Sequence, residues 1–151
     1  MLRQERDRWI DIGLLVLRLG FGLGFVYFHG WDKLMGGPER WAGVGASVEH
    51  LGIGFGHTFF GFLAAFAESI GGLLIALGLF FRPAALLLAG TMFVAWVMHI
   101  TTGNGTPAHA FKNMWVAIGL SLIGPGRYSL DHWLAERRRE PAIELEREAT
   151  T

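Results

Sequence analysis

The sequence predicts an all-α membrane protein: a polytopic four-helix bundle with both termini on the cytoplasmic side and a short interfacial helix in the first outer loop. Three observations carry this expectation. The chain of 151 residues is 52% hydrophobic and only 17% charged, where soluble domains hold about a quarter charged residues. The charges crowd the two ends and leave the middle nearly bare. Four apolar stretches stand in that middle, and a bilayer core about 30 Å thick asks for roughly 17–25 residues per helix.

The first span is expected over residues 10–28. The N-terminal stretch before it mixes Arg3, Arg6 and Arg8 with Glu5, Asp7 and Asp11. The apolar run that follows is longer than the core of a signal peptide and carries Arg18, so it reads as an uncleaved first helix. The second span is expected over 58–81. The third, over 84–100, follows Arg82-Pro83, and proline suits a first helical turn. The fourth, over 111–123, is the shortest and needs interfacial flanks to cross. Residues 1–133 thus form one membrane domain, and 134–151 a charged cytoplasmic tail with a break at Pro141.

Orientation follows from Lys and Arg. With four spans, the two tails and the second-to-third turn share one side. They hold nine cations: Arg3, Arg6, Arg8, Arg82, Arg127, Arg137, Arg138, Arg139 and Arg147. The other side holds only three, Lys33, Arg40 and Lys112. Both ends are therefore expected inside, in a prokaryotic-type inner membrane. Trp9 and Tyr128 flank the inner boundary, and Trp31, Trp41, Trp96 and Trp115 the outer one, as interfacial belts do. In the long outer connection Pro38-Glu39-Arg40-Trp41 starts a short helix. Gly52, Gly54 and Gly56 after it read as a hinge, because no strand precedes them and their spacing fits no nucleotide-binding fingerprint.

Composition also excludes. The absence of cysteine removes thiolate nucleophiles, disulfide exchange and iron–sulfur ligation. A net charge of zero points to no nucleic-acid partner. The bilayer itself is the one certain surrounding. Gly20 and Gly24 make a GxxxG pair that suits tight helix packing, within a protomer or in a homo-oligomer.

Ionisable groups within spans are costly and usually face a bundle interior. Arg18, Glu68 and His99 are such groups, with His29 at the outer end of the first helix. Arg18, Gly22, Val26 and His29 share one helical side. Ala64, Glu68, Gly72 and Ala76 form a stripe on the second helix; Met92, Trp96 and His99 align on the third; Asn113, Ala117 and Ser121 on the fourth. At about 1.5 Å per residue, Arg18 should lie roughly 12 Å above the inner boundary, Glu68 roughly 19 Å, His99 roughly 22 Å and His29 roughly 28 Å. An Arg18–Glu68 ion pair with His99 beside it is the expectation, with Asn113 and Ser121 lining the fourth helix. Such a pair can be a packing device, part of a ligand or quinone site, or a proton-transfer group. No metal is expected: His29, His99 and His109 fall toward the outer side, but no two share a span at ligand spacing.

The run LLVLRLGFGLGFVYFHGWDKL at Leu14–Leu34 resembles the opening of the DoxX family. AFAESIGGLLIALGLFFRPAALLLAGTMFVA at Ala65–Ala95 resembles its centre, and GPGRYSLD at Gly124–Asp131 its closing motif. The resemblance implies a four-helix membrane fold. It also implies a link to oxidoreductase systems, since the family includes the membrane subunit of thiosulfate:quinone oxidoreductase and a component of a membrane-associated oxidoreductase complex. Arg18, His29, Lys33, Glu68, Arg82, Arg127 and Asp131 match family motifs by position. Relatives often carry an acidic residue near the start of the fourth helix, and Phe111-Lys112-Asn113-Met114 offers none.

The expected function is a subunit or accessory protein of a quinone-linked oxidoreductase, with a partner protein supplying the redox centre. Whether the chain itself catalyses is left open by the sequence. Two other readings stand beside it: a non-enzymatic assembly or structural subunit of a larger membrane complex, and a small-molecule or proton carrier.

Overall fold

The computed structural model describes residues 2–138. The tail predicted over 134–151, including the break at Pro141, lies outside the described residues beyond position 138. Among the described residues there is no strand, and helices follow one another with short turns.

The first helix, α1, runs from Leu2 to Phe25, continues through a π-helical turn at Val26–Gly30 and ends with Trp31–Met35. A short helix, α2, covers Gly37–Gly45 and tightens into a 3-10 segment, Ala46–Leu51. The second long helix, α3, spans His57–Leu77 and also carries a π-helical turn, Ala67–Gly71. The third, α4, is Phe81–Thr102, and α5 is Pro107–Ile123. A last helix, α6, begins at residue 130 and runs to the limit of the described residues.

Three of these helices, Gln4–Met35 within α1, α3 and α4, are long and apolar enough to cross a membrane. The chain is accordingly an all-α, multi-pass membrane protein. Leu17, Leu23, Phe28, Leu73, Leu86 and Leu122 are exposed around its girth, an arrangement that suits lipid and not water. The fourth rod, α5, has 17 residues and lies along α4 over most of its length.

The rods alternate in direction, so the bundle has two ends. The proximal end carries the start of α1, the 78–80 turn and residues 124–138; the distal end carries α2 and the 103–106 turn. The core between them is built from Phe25, Ile75, Phe81, Ala85, Leu88, Met92, Met114 and Leu120. Close approach of α1 to α3 depends on glycine. A methyl group on Gly22 would strike the backbone of Gly72 and Ala76, and one on Gly30 the backbone of Glu68 and Ser69. These contacts fix the relative height of the two helices: Gly30 is level with Glu68.

The proximal end is closed by hydrogen bonds between segments far apart in the chain. Gly78, at φ 67°, stops α3, and Phe80 starts α4 from a left-handed conformation at φ 44°. That conformation costs of order 1–3 kcal/mol in a non-glycine residue. The Asp131 carboxylate offsets it by accepting the N–H groups of Phe80 and Phe81, both at 3.0 Å. Asp131 N–H in turn donates to Gly78 O at 2.9 Å. Asp11 accepts Arg127 N–H at 2.9 Å and so ties the 124–129 loop to α1.

The structure alters several sequence expectations. The first helix extends to Met35 and not to residue 28, because Gly30, Trp31, Asp32 and Lys33 continue helical turns past the apolar run. The second long helix ends at Leu77 instead of 81, where Gly78 turns the chain. The fourth begins at Pro107, four residues before the apolar stretch, with proline in its first turn. The short helix expected in the outer connection is present. Its Val48 is buried, and it packs against α3 and α4 instead of standing clear of the bundle.

Candidate functional site

Glu68 is the most deeply placed charge of the bundle. It lies ten residues above Gly78, about 15 Å along a helix of 21 residues, and only 2% of its surface is exposed. Its partner is Lys33: Nζ donates to Oε1 at 2.8 Å and to Oε2 at 2.5 Å. A helical side chain leans toward the N-terminus of its helix, so Lys33 reaches back down from the distal turn of α1 to the level of Glu68. The Lys33 backbone is held by Trp41, whose indole N–H donates to Lys33 O at 2.9 Å. Both π-helical turns lie here against each other, and they carry His29 and Glu68. Such turns insert one extra residue, re-aim the side chains after it, and recur at functional sites.

The expected Arg18–Glu68 ion pair is not formed. Arg18 is buried, 2% exposed, but at the proximal end. Its guanidinium donates to Pro125 O at 3.2 Å and to Tyr128 O. The physical reason is the extension of α1. With Gly30 level with Glu68, Arg18 falls twelve residues lower, about 18 Å along the axis, beyond the reach of an arginine side chain. Arg18 is therefore a latch on the closing loop, and the cation in the bundle centre is Lys33.

Three of the four predicted polar residues are brought together. Glu68, His99 and His29 line one cavity of about 120 Å³, along with Lys33, His109, Phe25, Met92, Ala95 and Ala110. His29 faces His109 with ring centroids 5.4 Å apart. His99 Nδ1 lies 2.6 Å from Asn104 O. A carbonyl only accepts, so Nδ1 carries the proton and Nε2 is left as an acceptor. Asn113 joins at second remove, its side-chain amide 3.0 Å from His109 Nε2. Ser121 does not join: its hydroxyl donates to Ile118 O at 2.7 Å within its own helix. Among the described residues no group of three His, Asp or Glu side chains is arranged to hold a metal ion.

A second, larger cavity of about 650 Å³ lies against the same ion pair, walled by α2, α3 and α4. Lys33, Glu68, Ala95 and His99 line both cavities. The rest of the larger wall is almost wholly apolar, with Val48, Leu63, Leu87 and Val94 among its residues, and Ala64, Gly43 and Gly90 leaving the space. Along α4 it extends from Leu86 to Met98, about 18 Å. A long apolar slot with one cluster of convergent polar groups is the form of a small-molecule site.

The sequence reading named Lys33 only as a family-motif position and His109 only as an outer-side histidine, and placed neither at the site, where the structure puts both. Lys33 stands four residues after His29 on the same helical side, a spacing that signals a shared face once the helix is known to continue. His109 stands four before Asn113 on α5, and Pro107 marks that helix start.

No curated protein and no solved structure matches the chain. A family model, DoxX, matches residues 13–100, more than half of the chain and the part that holds Arg18, His29, Lys33, Glu68 and His99. The chain therefore belongs to the DoxX family.

Proposed function

We propose that this protein is a membrane subunit of a quinone-linked oxidoreductase and that it binds the quinone in the larger cavity. The observation that carries the reading is the Lys33–Glu68 pair, set at mid-height in the bundle as the polar end of an otherwise apolar slot. A cavity of about 650 Å³ falls in the usual range for small-molecule sites, roughly 300–1,000 Å³. The slot fits an isoprenoid tail. Lys33 Nζ can donate to a ring oxygen, His99 Nε2 can accept from a quinol O–H, and Glu68 is placed to give or take a proton.

Reduction of a quinone to the quinol consumes two electrons and two protons. With no cysteine, the chain has no thiol or iron–sulfur route of its own, so the electrons come from a redox centre in a partner protein. In this reading α5 crosses the membrane as the fourth span. The proximal end faces the cytoplasm of a prokaryotic-type inner membrane, as the excess of Arg at that end favours. Charged residues of the tail beyond position 133 then form a cytoplasmic handle for the partner.

A structural-subunit reading has one observation in its favour: the ion pair and the glycine contacts beside it also fix how α1 packs on α3. Native mass spectrometry of the protein, released from its own membranes with lipid retained, separates the two. A bound quinone whose occupancy falls in Glu68→Gln supports the proposed site. A defined complex in which this chain carries no quinone overturns it and leaves the polar core as a packing device.

A further inference from the structure

We propose that Glu68 exchanges protons with the distal face of the membrane alone, through His29, His99 and His109 in the smaller cavity. The inference deepens the quinone reading, since it names the side from which that site draws its protons.

Four observations point the same way. First, the smaller cavity adjoins the ion pair and is lined by all three histidines. Its volume of about 120 Å³ has room for about four waters at roughly 30 Å³ each. Second, exposure rises in order along the route. Glu68 is buried, His29, His99 and Lys33 are half-buried, and His109 is exposed at the distal surface.

Third, the ring nitrogens are set for transfer. The Asn104 carbonyl fixes the His99 proton on Nδ1, which leaves Nε2 to accept another. The side-chain amide of Asn113 donates to His109 Nε2, and the His109 ring faces that of His29. Imidazole is the side chain whose ordinary titration range spans neutral pH.

Fourth, nothing comparable leads to the proximal end. Between Glu68 and that end, residues 19–28, 69–77, 83–98 and 113–123 contain no Asp, Glu, His, Lys or Arg. Phe25, Ile75, Leu88 and Leu120 are packed below the pair. The larger cavity descends along α4 as far as Leu86, but its wall there is almost wholly apolar and has no titratable group to relay a proton. Arg18, below them, is committed to two carbonyl oxygens and stays protonated.

The titratable groups facing Glu68 are thus Lys33 and His29 from α1, His99 from α4 and His109 from α5. Glu49 of α2 and His57 of α3 pair with each other, 3.2 Å apart, outside both cavities. In quinol oxidation the two ring O–H bonds break one after the other, and the two electrons leave for the partner's redox centre. Each proton in turn adds to a Glu68 oxygen, moves by way of water to an imidazole nitrogen, and is released by His109 to distal water, so that Glu68 is ionised again before the second proton arrives. Reduction runs the same path in reverse.

The test uses the full chain in liposomes of defined orientation, with pH set separately on each face. Dicyclohexylcarbodiimide attacks protonated carboxyl groups in apolar surroundings, and peptide mass spectrometry reads the adduct on Glu68. The expected adduct yield falls as distal pH is raised, by up to about tenfold per unit, and is unmoved by proximal pH. In His109→Phe the rate at which the yield follows a distal pH jump falls at least tenfold. A yield that follows proximal pH, or that ignores both sides, overturns the proposal, and the unmutated protein alone suffices to show either. Added decylubiquinone probes the underlying reading separately. Failure to protect Glu68 while distal dependence persists defeats the quinone reading and leaves the proton route. Protection with proximal dependence does the opposite.

Discussion

Replacing Lys33 by methionine leaves Glu68 without its partner at mid-height in the bundle. The charge centres lie about 3 Å apart, and an effective dielectric of about 20 gives roughly 5–6 kcal/mol of attraction. The desolvation of both groups offsets part of this. Removing one member of a buried pair costs about 3–5 kcal/mol in general. The Lys33 side chain is 26% exposed, so water reaches the pair and the lower end of that range applies, about 3 kcal/mol. Lys33→Met combined with Glu68→Met removes both charges and fills the space with apolar atoms. The double variant is expected within about 1 kcal/mol of the parent, since hydrophobic replacement of a whole pair is often neutral or better. A double-mutant cycle from reversible unfolding in mixed micelles measures this directly, and the expected coupling is about 3 kcal/mol. The same cycle on Arg18→Met and Glu68→Met should be additive within about 0.5 kcal/mol, as for residues that share no partner. Additivity of the Lys33 and Glu68 changes, or coupling between Arg18 and Glu68, refutes the assigned pairing.

Other predictions concern the latch and the slot. Arg18→Met removes the charged donor from Pro125 O and Tyr128 O; hydrogen exchange in the 124–131 segment should speed up by about tenfold to a hundredfold, from roughly 1.5–3 kcal/mol for charge-assisted bonds. Asp131→Ala takes both acceptors from the start of α4 and should destabilise by about 2 kcal/mol, near the upper limit for helix caps. Asp131→Asn, which keeps one acceptor oxygen, should cost about half as much in the same unfolding assay. Gly90 has open space around it on the cavity wall, so Gly90→Phe should change stability by under about 1 kcal/mol. The added ring should nonetheless displace a bound quinone, read as at least a tenfold loss of occupancy by native mass spectrometry.

The helices were legible because lipid imposes a simple rule: long apolar runs must be helical and internally bonded. The polar faces were legible too, since Glu68, His99 and His29 do meet. The partner of Glu68 was not, for two physical reasons. Gly30, Asp32 and Lys33 have the composition of a loop, yet packing of Gly30 on Glu68 keeps α1 helical through them. With Gly30 level with Glu68, α1 sits lower against α3, by about 11 Å or two turns, than an estimate that starts counting at the first apolar residue. Arg18 thereby moves to the proximal boundary and Lys33 into the bundle centre. The two π-helical turns add a second displacement, because an inserted residue rotates everything beyond it, and no composition rule marks them. The closing motif Gly124–Asp131 could be picked out as a unit, but its work could not. Asp131 acts on backbone groups fifty residues away, and such a partner exists only once the chain has folded.

The most direct test of the central claim is photo-crosslinking of the membrane-embedded protein with an azido-quinone, mapped by peptide mass spectrometry. The account predicts adducts on the slot, at Leu63, Ala64, Leu87 or Val94, competed by unlabelled quinone and reduced in Gly90→Phe. Adducts spread over lipid-facing positions such as Leu17, Leu23 and Leu122, unmoved by competitor, would contradict it.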